Sequence, residues 1–328
     1  MRWIAAALAA AVIASGFWAR ADDAAPLVIE TKISLGTVKG RIDHFALDLD
    51  RKRLFVAELG NDSVGVVDIG AGKVVQRISG LKEPQGVGYA PWTDTLYVAN
   101  AGDGSVRLFR GSGLAPAGRI DLGDDADNIR VDSEHKRILV GYGGGALAEI
   151  DADTGEKTAD IRLKAHPEAF QLDLRAGRAF VNVPDARQIA VVDLASKRQV
   201  STLPVGSLRS NFPMALDPES GRILAVFRSP QRLLSISPAD GASTQVDTCG
   251  DSDDVFVDGK RRRIYVSCGE GFIDVFDAHA PSYGRIARIP TVYGARTSYF
   301  APDMDRLFVG VRASGGEPAA IWVFRPSP

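Results

Sequence analysis

Apolar residues in this chain fall into short alternating runs separated by turns rich in glycine, asparagine and aspartate, and one run recurs seven times. It is an apolar triplet, usually with an aromatic or leucine at its centre: Leu54-Phe55-Val56, Leu96-Tyr97-Val98, Ile138-Leu139-Val140, Ala179-Phe180-Val181, Ile223-Leu224-Ala225, Ile264-Tyr265-Val266 and Leu307-Phe308-Val309. Counted from the third residue, the steps are 42, 42, 41, 44, 41 and 43. A period in the low forties containing several short strands predicts a β-propeller. Helical solenoids are excluded, because the unit alternates at period 2 and not 3.6.

The first unit predicts four strands: a at His44 to Asp48, b at Leu54 to Ala57, c at Val64 to Asp68 and d at Lys73 to Ile78. Turns such as Gly60-Asn61-Asp62 and Gly102-Asp103-Gly104 supply the positive φ that tight hairpins need. The seventh unit starts near Thr297 and ends at Pro328, just after its strand c (Ile321 to Phe324), with no strand d of its own. Leu27 to Leu35 is strand-like and lacks a partner, so it is expected to complete the seventh blade and close the ring without an exposed edge. The fold class expected is all-β, a seven-bladed propeller of four-stranded antiparallel blades.

The first 21 residues read as a signal peptide, with Arg2, an apolar stretch from Ile4 to Phe17, and Ala19-Arg20-Ala21 as the cleavage site. Residues 22–328 then form one propeller domain in a periplasmic or secreted protein. No later segment is long and apolar enough to span a bilayer, so no membrane span is expected after cleavage. Cleavage removes Arg2 and Arg20 and takes the formal charge from −2 to −4. That balance argues against bulk attraction to nucleic acid, while leaving a local basic face open. The two cysteines, Cys249 and Cys268, map to the same face of neighbouring structure and are expected to pair in an oxidising compartment.

The stretches LFVAELGNDSVGVVD and LYVANAGDGSVRLF resemble the YVTN-type repeat, as in YncE-like periplasmic propellers. The resemblance covers essentially the whole chain after residue 21 and implies the fold more than any activity. Proteins of this kind include suspected nucleic-acid binders, lactonase-like enzymes and partners of redox enzymes. The repeat residues are packing residues, so none of these roles transfers through them.

Candidate chemistry lies where each innermost strand a begins, because seven such segments surround one mouth of the central channel. Aligned on the triplets, these segments place His44, Asp127, Asn128, His166, Glu168, Asn211, Asp253, Asp254 and Arg296 around a shared pocket. Arg41 and Arg209 accompany them. Carboxylates, imidazoles and amides converging there suit a small polar ligand, an acid/base set, or one divalent cation held by Asp127, Glu168 and Asp253. The alternative is turn chemistry, since Asp and Asn before a strand satisfy local backbone groups. The Tyr142-Gly143-Gly144-Gly145 loop lies on the same face and reads as a hairpin or as a close approach for a ligand.

The a-to-b turns of the opposite face carry Arg51-Lys52-Arg53, Lys136-Arg137, Arg175, Arg178, Arg222, Lys260-Arg261-Arg262-Arg263 and Arg306. They are either solvated charges or a surface for an anionic partner. No phosphate loop, nucleophile elbow or haem motif occurs. Two functions follow: an exported binding module whose small-molecule or protein partner meets the acidic mouth, or a metal-dependent hydrolase or lyase of lactone-like substrates there.

Overall fold

The computed structural model describes residues 25–280 and 282–328, and the signal-peptide reading of residues 1–21 lies outside them. The described residues form seven sheets of four antiparallel strands. Blade one runs Phe45–Asp48, Arg53–Glu58, Ser63–Asp68 and Lys73–Ser79. Every apolar triplet lies in a strand b and is at most 1% exposed. The cause is stacking: a strand b is covered on both faces by neighbouring blades, so its apolar run is continuous. Outer strands alternate instead, as in Lys73–Ser79, where polar side chains reach solvent.

The hydrophobic core is divided into seven clusters, each shared by two adjacent blades. Phe55, Val66 and Ile78 of blade one meet Val87, Leu96 and Phe109 of blade two, for example. The ring closes as the sequence predicts. Leu27–Gly36 pairs antiparallel with Ala319–Pro326, with Ile33 opposite Ile321. Ile33 then packs with Phe308 and Ile321 of blade seven against Leu54 and Val56 of blade one. The termini are tied beyond the ladder, since Ser327 Oγ donates to Ala25 O at 2.7 Å and the Ser327 N–H to Pro26 O at 3.0 Å.

Each a-to-b turn ends on a residue with left-handed backbone: Lys52, Asp94, Lys136, Gly177, Gly221, Arg262 and Asp305, with φ between 48° and 67°. Their spacing reproduces the triplet spacing, so turn and strand are one repeated device. Only two of the seven are glycine. The other five accept a disfavoured conformation, at about 1 kcal/mol each, that the surrounding ladder enforces.

The basic underside expected from these turns is neutralised in part. Arg51 bridges Asp48 of its own blade, at 3.1 Å, and Asp94 of the next, at 2.7 Å. Arg262 reaches back to Asp217 at 2.9 Å, and Arg261 forward to Asp305 at 2.6 Å. Hydrogen bonding from Arg261 holds the Asp305 carboxyl at about 2. Arg263 donates to the C-terminal carbonyls of Ser327 and Pro328. These turns staple blades together, and the arginine run is spent on blade-to-blade and terminus contacts.

Candidate functional site

Four of the seven strands a carry a register shift at their channel-mouth end: Pro84/Val87 in blade two, Ala126/Ile129 in blade three, Asn211/Met214 in blade five and Ser252/Asp254 in blade six. A bulge leaves residues out of the ladder and re-aims their side chains. This is why consecutive residues, such as Asp253 and Asp254, serve different depths of the channel. Gly86 completes the arrangement. A Cβ there would lie 1.9 Å from the carbonyl oxygen of Asp127, so only glycine allows blade two to approach the bulge that presents Asp127.

The mouth pocket encloses about 190 Å³ and is lined by Arg41, Gln85, Asp125, Asp127, His166, Glu168, Phe212, Arg228, Asp253 and Arg296. Of the nine residues expected there, Asp127, His166, Glu168, Asp253 and Arg296 share this pocket. His44 and Asp254 lie deeper and line the second, larger cavity of the channel. Asn128 and Asn211 are 1% exposed and line neither cavity. Asn211 instead joins blades, with its Nδ2 donating to Asn182 Oδ1 at 2.8 Å. Arg209 also departs from expectation, turning back onto the carbonyls of Gly206 and Leu208.

Arg228 was missed by sequence reasoning, yet it joins Arg296 in a network that crosses three blades. Arg228 pairs with Asp253 at 2.7 Å and Asp251 at 3.4 Å. Arg296 pairs with Asp251 at 2.7 Å and Asp253 at 2.9 Å. The Arg228 guanidinium also stacks on Phe212, 4.0 Å from the ring centroid. A partial signal existed: three residues after the triplet, Arg228 and Arg312 stand where the other five blades have Leu59, Ala101, Gly143, Pro184 and Gly269. Arg41 pairs with Asp43 and reaches Gln85 at 3.3 Å.

Asp127 and Glu168 stand apart from these pairs. Asp127 is 5% exposed and its Oδ1 has no hydrogen-bond partner among the described residues. Burial, with the Glu168 charge next, lifts its carboxyl to about 7. Burial also lifts Glu168 to about 8, with the Asp253 charge adding to the rise and Arg228 opposing it. Near neutral pH the pair therefore holds a proton that an ordinary carboxylate pair would have lost. His166 Nδ1 lies 2.8 Å from Gly143 O and 3.4 Å from Asp125 Oδ2. Donation to that carbonyl makes Nδ1 the protonated nitrogen and leaves Nε2 as an acceptor in the neutral ring. The Gly143 loop is thus a hairpin that orients His166.

Cys249 and Cys268 form a disulfide with Cα atoms 5.9 Å apart. It lies just before Asp251 in sequence and pins the loop that carries this aspartate. Among the described residues no group of three or more His, Cys, Asp or Glu gathers at metal-ligand spacing.

Fold and channel together define a seven-bladed β-propeller with a polar mouth pocket. Among solved structures, a chain of hydrazine synthase from Kuenenia stuttgartiensis superposes with a TM-score of 0.77 at 17% identity, covering 88% of this chain and 97% of that one. A chain of the mitotic checkpoint complex gives 0.77 at 13% identity, covering 100% of this chain and 99% of that one. At such identities the likeness is one of fold. No protein-family model matches the chain, and no curated protein sequence does.

Proposed function

We propose that the protein is an exported binding module whose mouth pocket takes a small polar molecule carrying an anionic group and hydrogen-bonding oxygens. The observation that supports this reading is the unpartnered, buried Oδ1 of Asp127 in a pocket of about 190 Å³ ringed by Arg41, Arg228 and Arg296. A buried polar atom without a partner is costly, and a ligand donor repays that cost. The arginines supply planar donors for a carboxylate or phosphate. Protonated Asp127 or Glu168 supplies a donor of its own. The disulfide supports export to an oxidising compartment. The YncE-like resemblance points the same way.

A metal-dependent hydrolase or lyase of lactone-like substrates is the second reading, favoured by the acid/base potential of Glu168 and His166. It is the weaker one. Asp253, a would-be ligand for a divalent cation, is already held between Arg228 and Arg296. The far face supports an anionic partner less well than its sequence suggested, because Arg51, Arg261 and Arg262 are all ion-paired.

Calorimetry separates the readings. Small hydroxy acids, sugar phosphates and α-amino acids, titrated into the wild type, are expected to include at least one binder. Asp127→Asn and Arg296→Gln should each weaken that binder at least tenfold. Failure of the whole series, or equal binding by both variants, removes the mouth as the ligand site. Heat from calcium, magnesium, manganese or zinc that Glu168→Gln abolishes would favour the metal enzyme instead.

A further inference from the structure

Below the mouth lies a second cavity of about 500 Å³, bounded by the inner strands and reaching Pro218 and Pro302 in the a-to-b turns of the far face. One layer of it consists of seven equivalent positions, each opposite the central residue of an apolar triplet. They are Ala46, Gly88, Arg130, Gln171, Ala215, Phe256 and Tyr299. All seven line the cavity. Three small residues open the space, and Phe256 with Tyr299 forms an edge-to-face aromatic wall, ring centroids 6.1 Å apart. Above and below the layer the walls are mainly apolar, including Val87, Ile129 and Phe300, with His44 and Asp254 at the mouth end.

Arg130 is the exception in this layer. Arg41, Arg228 and Arg296 in the mouth all pair with carboxylates. Among the described residues Arg130 has no carboxylate within salt-bridge distance. Its one hydrogen bond runs from Nη1 to the neighbouring Ile129 carbonyl at 2.8 Å, and its guanidinium stacks over Phe170, 5.3 Å from the centroid. The Tyr299 hydroxyl likewise makes no hydrogen bond among the described residues, whereas Gln171 is satisfied by Met214 O at 2.7 Å. Burial draws the Arg130 guanidinium below its ordinary value and lifts the Tyr299 phenol above its own. Asp254 and Asp127 act on this cation only through space, beyond salt-bridge distance, so its planar donors stay spare in a cavity with mainly apolar walls.

We propose that this cavity is a second ligand site, independent of the mouth pocket, that takes a monocarboxylate with an apolar body. The carboxylate meets the Arg130 fork and the Tyr299 hydroxyl. The body occupies the space left by Ala46, Gly88 and Ala215, against the Phe256 ring. Such a site has the usual composition of a small-molecule pocket: apolar walls with a few convergent polar groups. The apolar body distinguishes its ligand from the polar one at the mouth.

The test is calorimetry on the full chain with phenylacetate, 3-phenylpropionate and hexanoate, each beside its neutral amide. One equivalent of carboxylate should bind, with the amide roughly tenfold weaker or worse, since a charge-assisted pair contributes about 1.5–3 kcal/mol. Arg130→Gln should lose at least tenfold, Tyr299→Phe a few-fold, and Arg130→Lys should fall between wild type and Arg130→Gln. Asp253→Asn, at the mouth, should bind these acids as the wild type does. If Arg130→Gln proves unfolded by circular dichroism, the amide comparison and Tyr299→Phe decide. No heat from any of the three acids at millimolar concentration, or equal binding of acid and amide, overturns the proposal. So does carboxylate binding that a folded Arg130→Gln leaves intact.

Discussion

Opening the Cys249–Cys268 bond is expected to cost about 3 kcal/mol of stability. The two half-cystines are 19 residues apart, and closing a loop of that length in the unfolded chain removes entropy worth about 3 kcal/mol at 25 °C. Both residues are buried, at 1% and 0% exposure, within the core shared by blades five and six. The folded state therefore gains little freedom on reduction, and the effect falls mainly on the unfolded ensemble. Unfolding a domain of this size carries an entropy of roughly 0.6 kcal/mol per kelvin, so the melting temperature should drop by about 5 °C. The assay is urea denaturation followed by circular dichroism, with and without a phosphine reductant, and with Cys249→Ala/Cys268→Ala as a second route. The urea midpoint should fall in both cases. Reductant should have no effect on the double variant. Free-thiol titration of the unreduced, denatured protein should find none. Two free thiols, or identical midpoints with and without reductant, would refute the reasoning.

The remaining predictions use the same unfolding assay. Asp127 and Glu168 have folded values of about 7 and 8, above their unfolded ones, so their contribution to stability is fullest below about pH 4 and is lost as pH rises toward 8. Asp127→Asn/Glu168→Gln should therefore gain on the wild type between pH 5 and 8.5, and parallel pH profiles would contradict this sign. Gly177→Ala should cost about 1 kcal/mol, because φ is +65° with open space around the missing Cβ; Gly113→Ala, also in open space but without positive φ, should change little. Ile33→Ala should cost about 2–5 kcal/mol by leaving a cavity where the closing strand packs between blades seven and one, whereas Thr31→Ala, at an exposed position two residues before it, should stay within about 0.5 kcal/mol. Equal costs at positions 31 and 33 would mean that the closing strand is held by its ladder alone.

The sequence by itself determined the ring. Seven triplets at a near-constant step, and a final unit lacking its outer strand, specified the blade count and sent Leu27–Gly36 to Ala319–Pro326. These features are local, since each strand b shows its two-sided burial in its own residue types. The segments leading into strand a were legible for the same reason, and five of the nine residues chosen there share the mouth pocket. What each side chain does in the channel was decided only in three dimensions. A bulge moves one residue out of alternation without changing composition, so nothing in the one-dimensional pattern placed Asp253 at the mouth and Asp254 below it. Asn128 and Asn211 looked like their pocket-lining neighbours but are buried away from both cavities. Arg228 pairs with the next blade, and Arg130 has no carboxylate partner among the described residues, because pairing depends on what the closed ring sets opposite each guanidinium. The same holds for the far face, where a run of arginines suggested a charged surface. There the ring brings aspartates of adjacent blades within reach of Arg51, Arg261 and Arg262 and uses their charge in holding the blades together.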